Sequence, residues 1–184
     1  LIKLDNNNDF DLIDGIKKLR EECEKSIKDG YNILILSDKK LKKGFIPIPS
    51  LLALSSVHHY LIRRGLRSNA DLIVESGEPR EVHHFCALFG YGASGINPYL
   101  AIETVLNTSG DDDNAVKNYI KSTEYGILKV MSKMGISTLQ GYQGAQIFES
   151  IGLSKEFVDE YFTWTANKIG GVDERRIKKD MLQN

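Results

Sequence analysis

The sequence predicts an α/β fold in which βα units repeat around a parallel sheet. Short apolar runs alternate with longer segments that carry apolar residues at helical spacing, and four such runs occur along the chain. Consecutive βα units place their strands parallel to each other and connect them by right-handed crossovers. Four units make either half of an eight-stranded barrel or one small doubly wound sheet.

The N-terminal segment carries the first helix and the first strand. Apolar residues recur at helical spacing across residues 9–29, where Asp9 is the candidate N-cap and Gly30 marks the expected end of the helix. The apolar run at 33–36 predicts a strand buried on both faces, as in a parallel sheet. We interpret the basic segment 39–49 as a solvated loop, because its lysines lack the glycine-framed spacing of a phosphate-binding loop.

The remainder of the chain continues the alternation. Further strands are predicted at 70–77, 93–97 and 135–140. Helices are predicted at 50–65, 80–92, 98–106, 115–134, 144–152 and 154–162. Asn97 and Pro98 provide a cap and a first helical position, and Ser154 provides a cap for the last of these helices. Turn-type residues at 107–114 predict an exposed loop.

We expect one domain followed by a short tail. A chain of 184 residues is long enough for one sizeable core. The domain is placed at 1–171, and residues 172–184 are interpreted as a charged tail without a core stripe, either poorly ordered or forming a terminal helix. Because the first residue is Leu1 rather than Met, we expect the chain to be a piece of a longer protein.

Composition and charge argue against several classes of function. A formal net charge of −1 gives no electrostatic attraction to nucleic acid or to an anionic membrane. No apolar run approaches the length of a membrane-spanning helix. Cys23 and Cys86 lie far apart on apolar positions of predicted helices. We interpret them as small buried hydrophobic residues in a reducing compartment, not as zinc or iron–sulfur ligands.

Two pairs of adjacent histidines suggest a metal site at first sight: His58 with His59, and His83 with His84. Neighbouring residues on a helix point about 100° apart, so an adjacent pair cannot bind one ion together. Glu81 and His84 could share a helix face, but two ligands do not make a metal site. We therefore expect the histidines to flank apolar helix faces and to bond to a nearby carbonyl or carboxylate group.

The residues best placed for function follow the strand predicted at 70–77. In parallel α/β folds, the carboxyl ends of the strands and the loops after them form the sites. Two carboxylates three residues apart could carry acid–base chemistry, and a charge network with a nearby arginine is the alternative. The candidates for a strand-end site, tunnel wall or interface are Glu75, Ser76, Glu78, Arg80, His83 and Asn97. No residue is predicted to be catalytic or to bind a cofactor or metal.

Gly90, Gly92 and Gly95 match the GxGxxG spacing of dinucleotide-binding loops. In such loops the glycines follow a strand and open a helix. Here they close a predicted helix and lead into a strand, so we interpret them as a helix C-terminus followed by a tight entry into the sheet.

Several long stretches, taken in order, resemble the large chains of glutamate synthases. They include "ILILSD", "IPIPSLLALSSVHHYLIRRGLRS", "LIVESGEPREVHHFCALFGYGASGINPYLAIET", "VMSKMGIST", "GAQIFE" and "YFTWTANKIGG". The resemblance covers roughly residues 10–171. It places the chain in the later part of the central domain, just before the FMN-binding domain.

The resemblance implies a fold, an activity and partners. The family converts glutamine and 2-oxoglutarate to two glutamates with electrons from NAD(P)H or ferredoxin. An amidotransferase domain releases ammonia, and a barrel domain holds FMN and a 3Fe-4S cluster. The central domain resembles a degenerate TIM barrel that connects these domains and helps to wall the ammonia tunnel. The fragment itself is then a scaffold without cofactors, and its partners are the other domains of the same polypeptide.

The chain departs from the family pattern at several positions. Lys39 replaces an arginine, and a lysine-rich insertion up to Lys43 follows it. Gly141 and Gln143 stand where the family has serine and arginine. Trp164 stands where the family has glycine, and we expect that tryptophan cannot replace glycine where the backbone needs a positive φ or a close approach. These changes touch the segment that faces the flavin domain in the family.

Two other functions stay open at this stage. One is a stand-alone flavin- or phosphate-binding half-barrel that a second copy completes. The other is an interaction module in a divergent homologue that has lost the synthase reaction. An incomplete barrel exposes sheet edges, so we expect self-association or an accessory covering segment. We expect the protein in the cytoplasm, or in the plastid of some eukaryotes.

Overall fold

The computed structural model describes residues 1–4, 9–110 and 112–183. Within these residues the elements in chain order are β1 (Ile2–Lys3), α1 (Leu12–Lys28), β2 (Ile33–Ser37), β3 (Phe45–Ile46), α2 (Ser50–Arg63), β4 (Asp71–Glu75), α3 (Val82–Gly90), β5 (Gly95–Asn97), α4 (Tyr99–Ser109), α5 (Asp113–Met134), α6 (Leu139–Tyr142), β6 (Glu149–Leu153), α7 (Lys155–Tyr161), β7 (Ala166–Val172) and α8 (Glu174–Met181). The predicted α/β class with parallel sheets is confirmed. The described strands do not close into a barrel, so the domain is a partial one.

The central sheet has three parallel strands in the order β2-β4-β5. Its register places Ile35 beside Ile73, and Ile73 beside Gly95. Helix α2 connects β2 to β4, and α3 connects β4 to β5, as expected for consecutive βα units. Three of the four predicted strands are therefore confirmed as one parallel sheet.

Helices α1 and α2 cover one face of this sheet. Side chains alternate between the two faces of a strand, so Leu34, Leu72 and Val74 point the same way. They are buried in one cluster with Leu54 and Val57 of α2. Removal of this apolar surface from water stabilises the layer by about 25 cal/mol per Å².

The opposite face of the sheet is open. Ile33 and Ile35 of β2 are 55% and 60% exposed. The prediction that this strand is buried on both faces is therefore wrong. Because β2 lies at the edge of the sheet and the helices cover one side only, its odd-numbered side chains have no covering layer among the described residues.

Two details of the N-terminal region differ from the sequence-based expectation. Asp11, not Asp9, caps α1, and its carboxylate accepts a hydrogen bond from the backbone N–H of Asp14. The segment predicted as a solvated loop contributes β3, which pairs antiparallel with β1, and it buries Ile48 in the core. Apolar residues within the basic segment explain both observations.

The region after α5 differs most from the prediction. No strand forms at 135–140; instead Thr138 caps the single-turn helix α6 by accepting from the backbone N–H of Gly141. The predicted helix at 144–152 is the strand β6 preceded by an irregular segment. Gly144 and Gly152 adopt φ values of +72° and +85°, and such left-handed residues interrupt a helix.

Strand β6 pairs in parallel with β7, and the short helix α7 makes the crossover between them. Ser154 caps α7 as predicted. The expectation that the tail lacks a core stripe is wrong, because α8 packs Ile177 and Met181 against a buried cluster. The division at residue 171 stays a prediction.

Helices α4 and α5 form a hairpin around a shorter connection than the predicted loop 107–114. Helix α4 continues to Ser109 and ends at Gly110, which is left-handed; Asp112 caps α5. Asp111 lies outside the described residues. Helix α5 contacts α3 mainly through Met131 and its half-buried neighbours.

We expect Leu54→Ala to lower the free energy of unfolding by about 2–5 kcal/mol, because Leu54 has no exposed surface and its truncation leaves a cavity. Urea denaturation of the 184-residue chain measures this change. Leu128→Ala is the matched control, because Leu128 of α5 is exposed; it should change stability by less than about 1 kcal/mol. Equal losses in the two variants would contradict the assignment of the α2 face as the core.

Candidate functional site

The parallel register aligns Ser37, Glu75 and Asn97 at the carboxyl edge of the sheet. Ser37 Oγ donates a hydrogen bond to Oε2 of Glu75 at 2.6 Å, and Asn97 Nδ2 donates to Oε1 at 3.1 Å. Both oxygens of Glu75 therefore accept from a neighbouring strand. The expectation that Asn97 caps α4 is wrong. Pro98 directly precedes this helix, and the Asn97 side chain belongs to the sheet edge.

Asp38, the first residue after β2, organises a second group. Ser76 Oγ donates to Oδ2 of Asp38 at 2.5 Å, and the backbone N–H of Gly77 lies 3.2 Å from Oδ1. Ser76 is almost fully buried. Burial and, next, a hydrogen bond with Asp38 raise the pKa of Tyr99 to about 12. The Lys39 ammonium lies 5.4 Å from the centroid of the same phenol ring.

Glu78 binds to the start of α2. Its Oε2 accepts from the backbone N–H of Ser50 at 2.8 Å and from Ser50 Oγ at 2.5 Å. A carboxylate at the N-terminus of a helix is stabilised by the helix dipole. Glu78 therefore connects the loop after β4 to α2, whereas Glu75 bonds to Ser37 and Asn97.

Arg80 and His83 do not join this network. Among the described residues Arg80 forms no ion pair with either glutamate, so the expected charge network is absent. Its carbonyl accepts instead from Tyr119 Oη at 3.0 Å, and its N–H donates to Nδ1 of His84. His84 and Glu81 do share a helix face, with 3.6 Å between Nε2 and Oε1. His83 is exposed on α3.

The strand-end groups surround a pocket of about 50 Å³, which has room for a few water molecules only. Its polar lining comprises Ser37, Asp38, Ser50, Glu75 and Ser76. The acidic oxygens accept from serine, asparagine and backbone donors of the same chain. Groups that are held in this way fix loops to each other. None of the polar groups that line this pocket is arranged as a nucleophile or a general base facing a substrate.

Sequence reasoning placed Glu75, Ser76 and Asn97 at this edge but missed Ser37, Asp38 and Tyr99. A usable signal existed, because Ser37 and Asp38 directly follow an apolar strand in the same way as Glu75 and Ser76. Equivalent ends of neighbouring parallel strands lie side by side.

The first histidine pair lies elsewhere, on α2. Nδ1 of His58 accepts from Nε of Arg67 at 3.0 Å. Burial, then the charge of Arg67, lowers the pKa of His58 to about 3. Burial, then the charges of Arg63 and Arg20, lowers the pKa of His59 to about 4. Both imidazoles are therefore neutral near pH 7.

Within the described residues no three His, Cys, Asp or Glu side chains come close enough to hold a metal ion. Cys23 and Cys86 are both buried thiols without a disulfide. None of the described helices is long and apolar enough to cross a membrane.

Comparison with known proteins adds the family. The profile described as glutamate synthase central domain matches residues 2–154. The NADPH-dependent glutamate synthase large chain of Bacillus subtilis (strain 168) is 51% identical over 176 residues, which is 92% of this chain and 12% of that protein. This chain belongs to the glutamate synthase central domain family. Within that family, the NADH-dependent glutamate synthase of Saccharomyces cerevisiae is 47% identical over 92% of this chain. The ferredoxin-dependent enzyme of Pyropia yezoensis is 44% identical over 96% of it.

The chain spans about an eighth or less of the length of these glutamate synthases. Its fold also matches a solved structure of a mutant flavocytochrome b2 with benzoylformate, at a TM-score of 0.59 and 18% identity. That match covers 68% of this chain and 31% of the other. At this identity the likeness shows the fold alone, and it supports the partial barrel.

Two of the residues that the sequence resemblance marks as departures can be located in the structure. Gln143 donates from Nε2 to the carbonyl of Ala93 at 2.6 Å and so connects α6 to the entry of β5. Trp164 adopts φ +68°. The expectation that tryptophan cannot take the left-handed backbone is wrong, although such a conformation costs free energy for a bulky residue.

We expect Asp38→Ala to lower stability by about 1–3 kcal/mol, because it leaves the buried Ser76 hydroxyl without its acceptor. In a double-mutant cycle with Ser76→Ala, urea denaturation should give a coupling energy of about 1 kcal/mol or more. The same variant should lower the pKa of Tyr99 from about 12 toward 10.0, because one cause of the shift is removed. Ultraviolet titration of the phenols measures this, and strict additivity with an unchanged titration would refute the network.

The neutral histidines predict a loss of stability in acid. Their folded pKa values of about 3 and about 4 lie below the ordinary 6.5, so the unfolded chain binds protons first as the pH falls. The contribution of the two neutral histidines to the free energy of unfolding is complete above pH 6.5 and is lost progressively below it. The slope of the free energy of unfolding against pH should reach about 1.4 kcal/mol per pH unit for the buried His58.

Urea denaturation at a series of pH values tests this slope. His58→Gln should flatten it, since the amide oxygen can accept from Arg67 without titrating. His83→Gln is the control, because His83 is exposed and should leave the slope unchanged. Identical slopes in both variants would contradict the assignment to His58.

Proposed function

We propose that the protein containing this chain is a glutamate synthase, which forms two glutamates from glutamine, 2-oxoglutarate and a reductant. The observation that carries the proposal is 51% identity over 92% of the chain to a glutamate synthase large chain. The chain corresponds to 12% of that protein, so the amidotransferase and reductase chemistry is assigned to other domains of the same polypeptide.

Within that protein we assign the chain the role of a scaffold that helps to wall the ammonia tunnel. A wall requires packing and exclusion of water more than reactive side chains. The strand-end carboxylates fit this role, because Glu75 and Asp38 are occupied by donors from neighbouring loops. The open face of the sheet, with Ile33 and Ile35, supports a covering segment from the rest of the polypeptide, or self-association of the fragment.

The FMN and the 3Fe-4S cluster of the family are assigned outside this chain. A flavin requires a pocket of several hundred Å³, and the strand-end pocket measures about 50 Å³. Iron–sulfur clusters are held by cysteine thiolates, and Cys23 and Cys86 belong to different buried clusters. The strand-end pocket therefore does not fit a flavin, and the two cysteines do not fit an iron–sulfur cluster. We place the protein in the cytoplasm, or in the plastid where the parent is a plastid enzyme.

An activity assay of the full-length protein tests the proposed role as a tunnel wall. It compares the rate of glutamate formation from glutamine with the rate from free ammonia. Ile35→Glu puts an unpaired charge on the open face, which the other domains should cover. We expect the glutamine-dependent rate to fall roughly tenfold relative to the rate with free ammonia, because ammonia then escapes before reduction.

The control for that experiment is Lys117→Glu on the exposed side of α5, which should leave the ratio unchanged. A full-length protein that forms no glutamate from either nitrogen source would refute the synthase assignment. If Ile35→Glu lowers both rates equally, or lowers neither, the role as a tunnel wall is refuted, whereas the synthase assignment stays intact.

A further inference from the structure

Strand β2 lies at an edge of the central sheet. Among the described strands only β4 pairs with it, so the other side of β2 has no neighbouring strand there. The bonds to β4 come from even-numbered residues of this segment. The backbone N–H of Asp71 donates to the carbonyl of Asn32 at 3.0 Å, and the N–H of Asp38 donates to the carbonyl of Glu75 at 3.1 Å.

The free edge of β2 is formed by the backbone of Ile33, Ile35 and Ser37. Successive residues of a strand direct their N–H and C=O groups to opposite sides of the strand, so these odd-numbered residues direct theirs away from β4. The result is a series of evenly spaced donors and acceptors along one side of β2. Such a series is a template on which another strand can pair.

The sequence of β2 is typical of an internal strand, although the strand lies at an edge. It reads ILILS and contains no charged residue and no proline, and its pairing with β4 has no bulge. Natural proteins usually protect an exposed edge by one of these devices or by a very short strand. The opposite edge is protected in this way, because β5 has three residues and Pro98 follows it. The free edge of β2 has no such protection.

A groove of about 300 Å³ runs along the free edge, between β2 and α1. Leu19 and Cys23 line it from α1, on the face of the sheet that the helices cover. Tyr31, Ile33 and Ile35 line it as well, and their side chains are more than half exposed. The side chains of an added strand would alternate between these two sides. Apolar residues suit both sides, as in an internal strand of a parallel sheet.

We propose that an apolar strand from another part of the parent polypeptide pairs with the free edge of β2, parallel to it, and extends the central sheet. The proposal rests on the proposed function in one respect, namely that this chain is part of a longer protein. The chain corresponds to 12% of the Bacillus subtilis large chain, so most of such a polypeptide lies elsewhere.

The architecture of the sheet favours this occupant over a second copy of the chain. Both strand pairs of the central sheet are parallel, and closure of a barrel pairs every strand on both sides. A second copy related by a two-fold axis would instead place its β2 antiparallel to the first. Purely parallel sheets are over-represented among natural sheets, so a parallel strand of the same polypeptide is the better match.

Residue-resolved hydrogen exchange of the full-length protein tests the added strand. The amides of Leu34 and Leu36 face β4 and serve as the internal reference. We expect the amides of Ile33, Ile35 and Ser37 to exchange about as slowly as this reference in the full-length protein. In the isolated 184-residue chain they should exchange at least about 100-fold faster, because no strand covers the edge.

Ile35→Pro removes the central N–H of the free edge. In the full-length protein it should speed the exchange of the Ile33 and Ser37 amides by about tenfold or more, since proline cannot donate to the added strand. Ile35→Val is the matched control, because valine keeps the N–H and a β-branched apolar side chain. The exchange of both amides should be unchanged in this control.

A photo-crosslink identifies the occupant. Tyr31, which is exposed beside the groove, is replaced by p-benzoylphenylalanine in the full-length protein. Irradiation should link it to a segment of the same polypeptide outside the 184 residues, and peptide mass spectrometry locates that segment. A product of twice the mass would show that a second copy occupies the edge, and this result would overturn the proposal.

The exchange measurement decides the proposal even if Ile35→Pro does not fold. Fast exchange at Ile33, Ile35 and Ser37 beside slow exchange at Leu34 and Leu36, in the unsubstituted full-length protein, would overturn it. The synthase assignment is tested separately by glutamate formation. An inactive protein with slow odd-numbered amides refutes only the synthase assignment, and an active protein with fast odd-numbered amides refutes only the added strand.

Discussion

The contact between α2 and its neighbours determines where the other parts of the molecule lie. Seven consecutive residues of this helix, from Leu52 to His58, are buried. One side of the helix covers Leu72 and Val74 of the parallel sheet. Another side packs Leu52 and Ala53 against α1 and α7 in a second cluster. A helix that is buried on most sides must supply partners for its own polar groups, because water cannot do so.

Ser55, Ser56 and His58 of α2 meet that requirement, and two of them do so by bonding to other elements. Ser55 Oγ donates to the carbonyl of Tyr161 at 2.6 Å, and Ser56 Oγ returns to the carbonyl of Ala53. Nδ1 of His58 accepts from Arg67, and that arginine also donates to the carbonyl of Gly92 at 2.8 Å. Gly92 is required at this point, because a Cβ there would lie 2.1 Å from Nδ1 of His58. The glycine-rich turn is thus explained by packing on an imidazole, not by a nucleotide.

The sequence predicts the first half of the fold better than the second half for a physical reason. Strands β2 and β4 are short apolar runs between clear helix boundaries, and parallel pairing follows from the crossovers. The segment 144–152 is ambiguous, because Ile147, Phe148 and Ile151 suit a helix as well as a strand. Left-handed backbone at Gly144, Gln146 and Gly152 decides the matter, and a pattern of apolar residues does not report on φ.

The candidate sites show the same division. Residues that directly follow a strand could be placed at the sheet edge from sequence, since parallel strands end side by side. Their hydrogen-bond partners could not, because Ser50 and Tyr99 reach the site only through the register of three strands and the packing of two helices. The apolar run of β2 led to the wrong prediction of burial on both faces, because the sequence does not show that the helices cover one side of the sheet only.

The open face also sets the electrostatic character of the sheet edge. By alternation, Ile33, Ile35 and Ile73 share this face with Glu75 and Asn97, so the carboxylate stands directly above an apolar surface. A covering layer would remove the surface from water and with it the solvation of Glu75. The hydrogen bonds from Ser37 and Asn97 supply donors from within the protein that take the place of this water. A sheet edge with these donors already in place is compatible with a buried interface, which agrees with the scaffold role proposed for the chain.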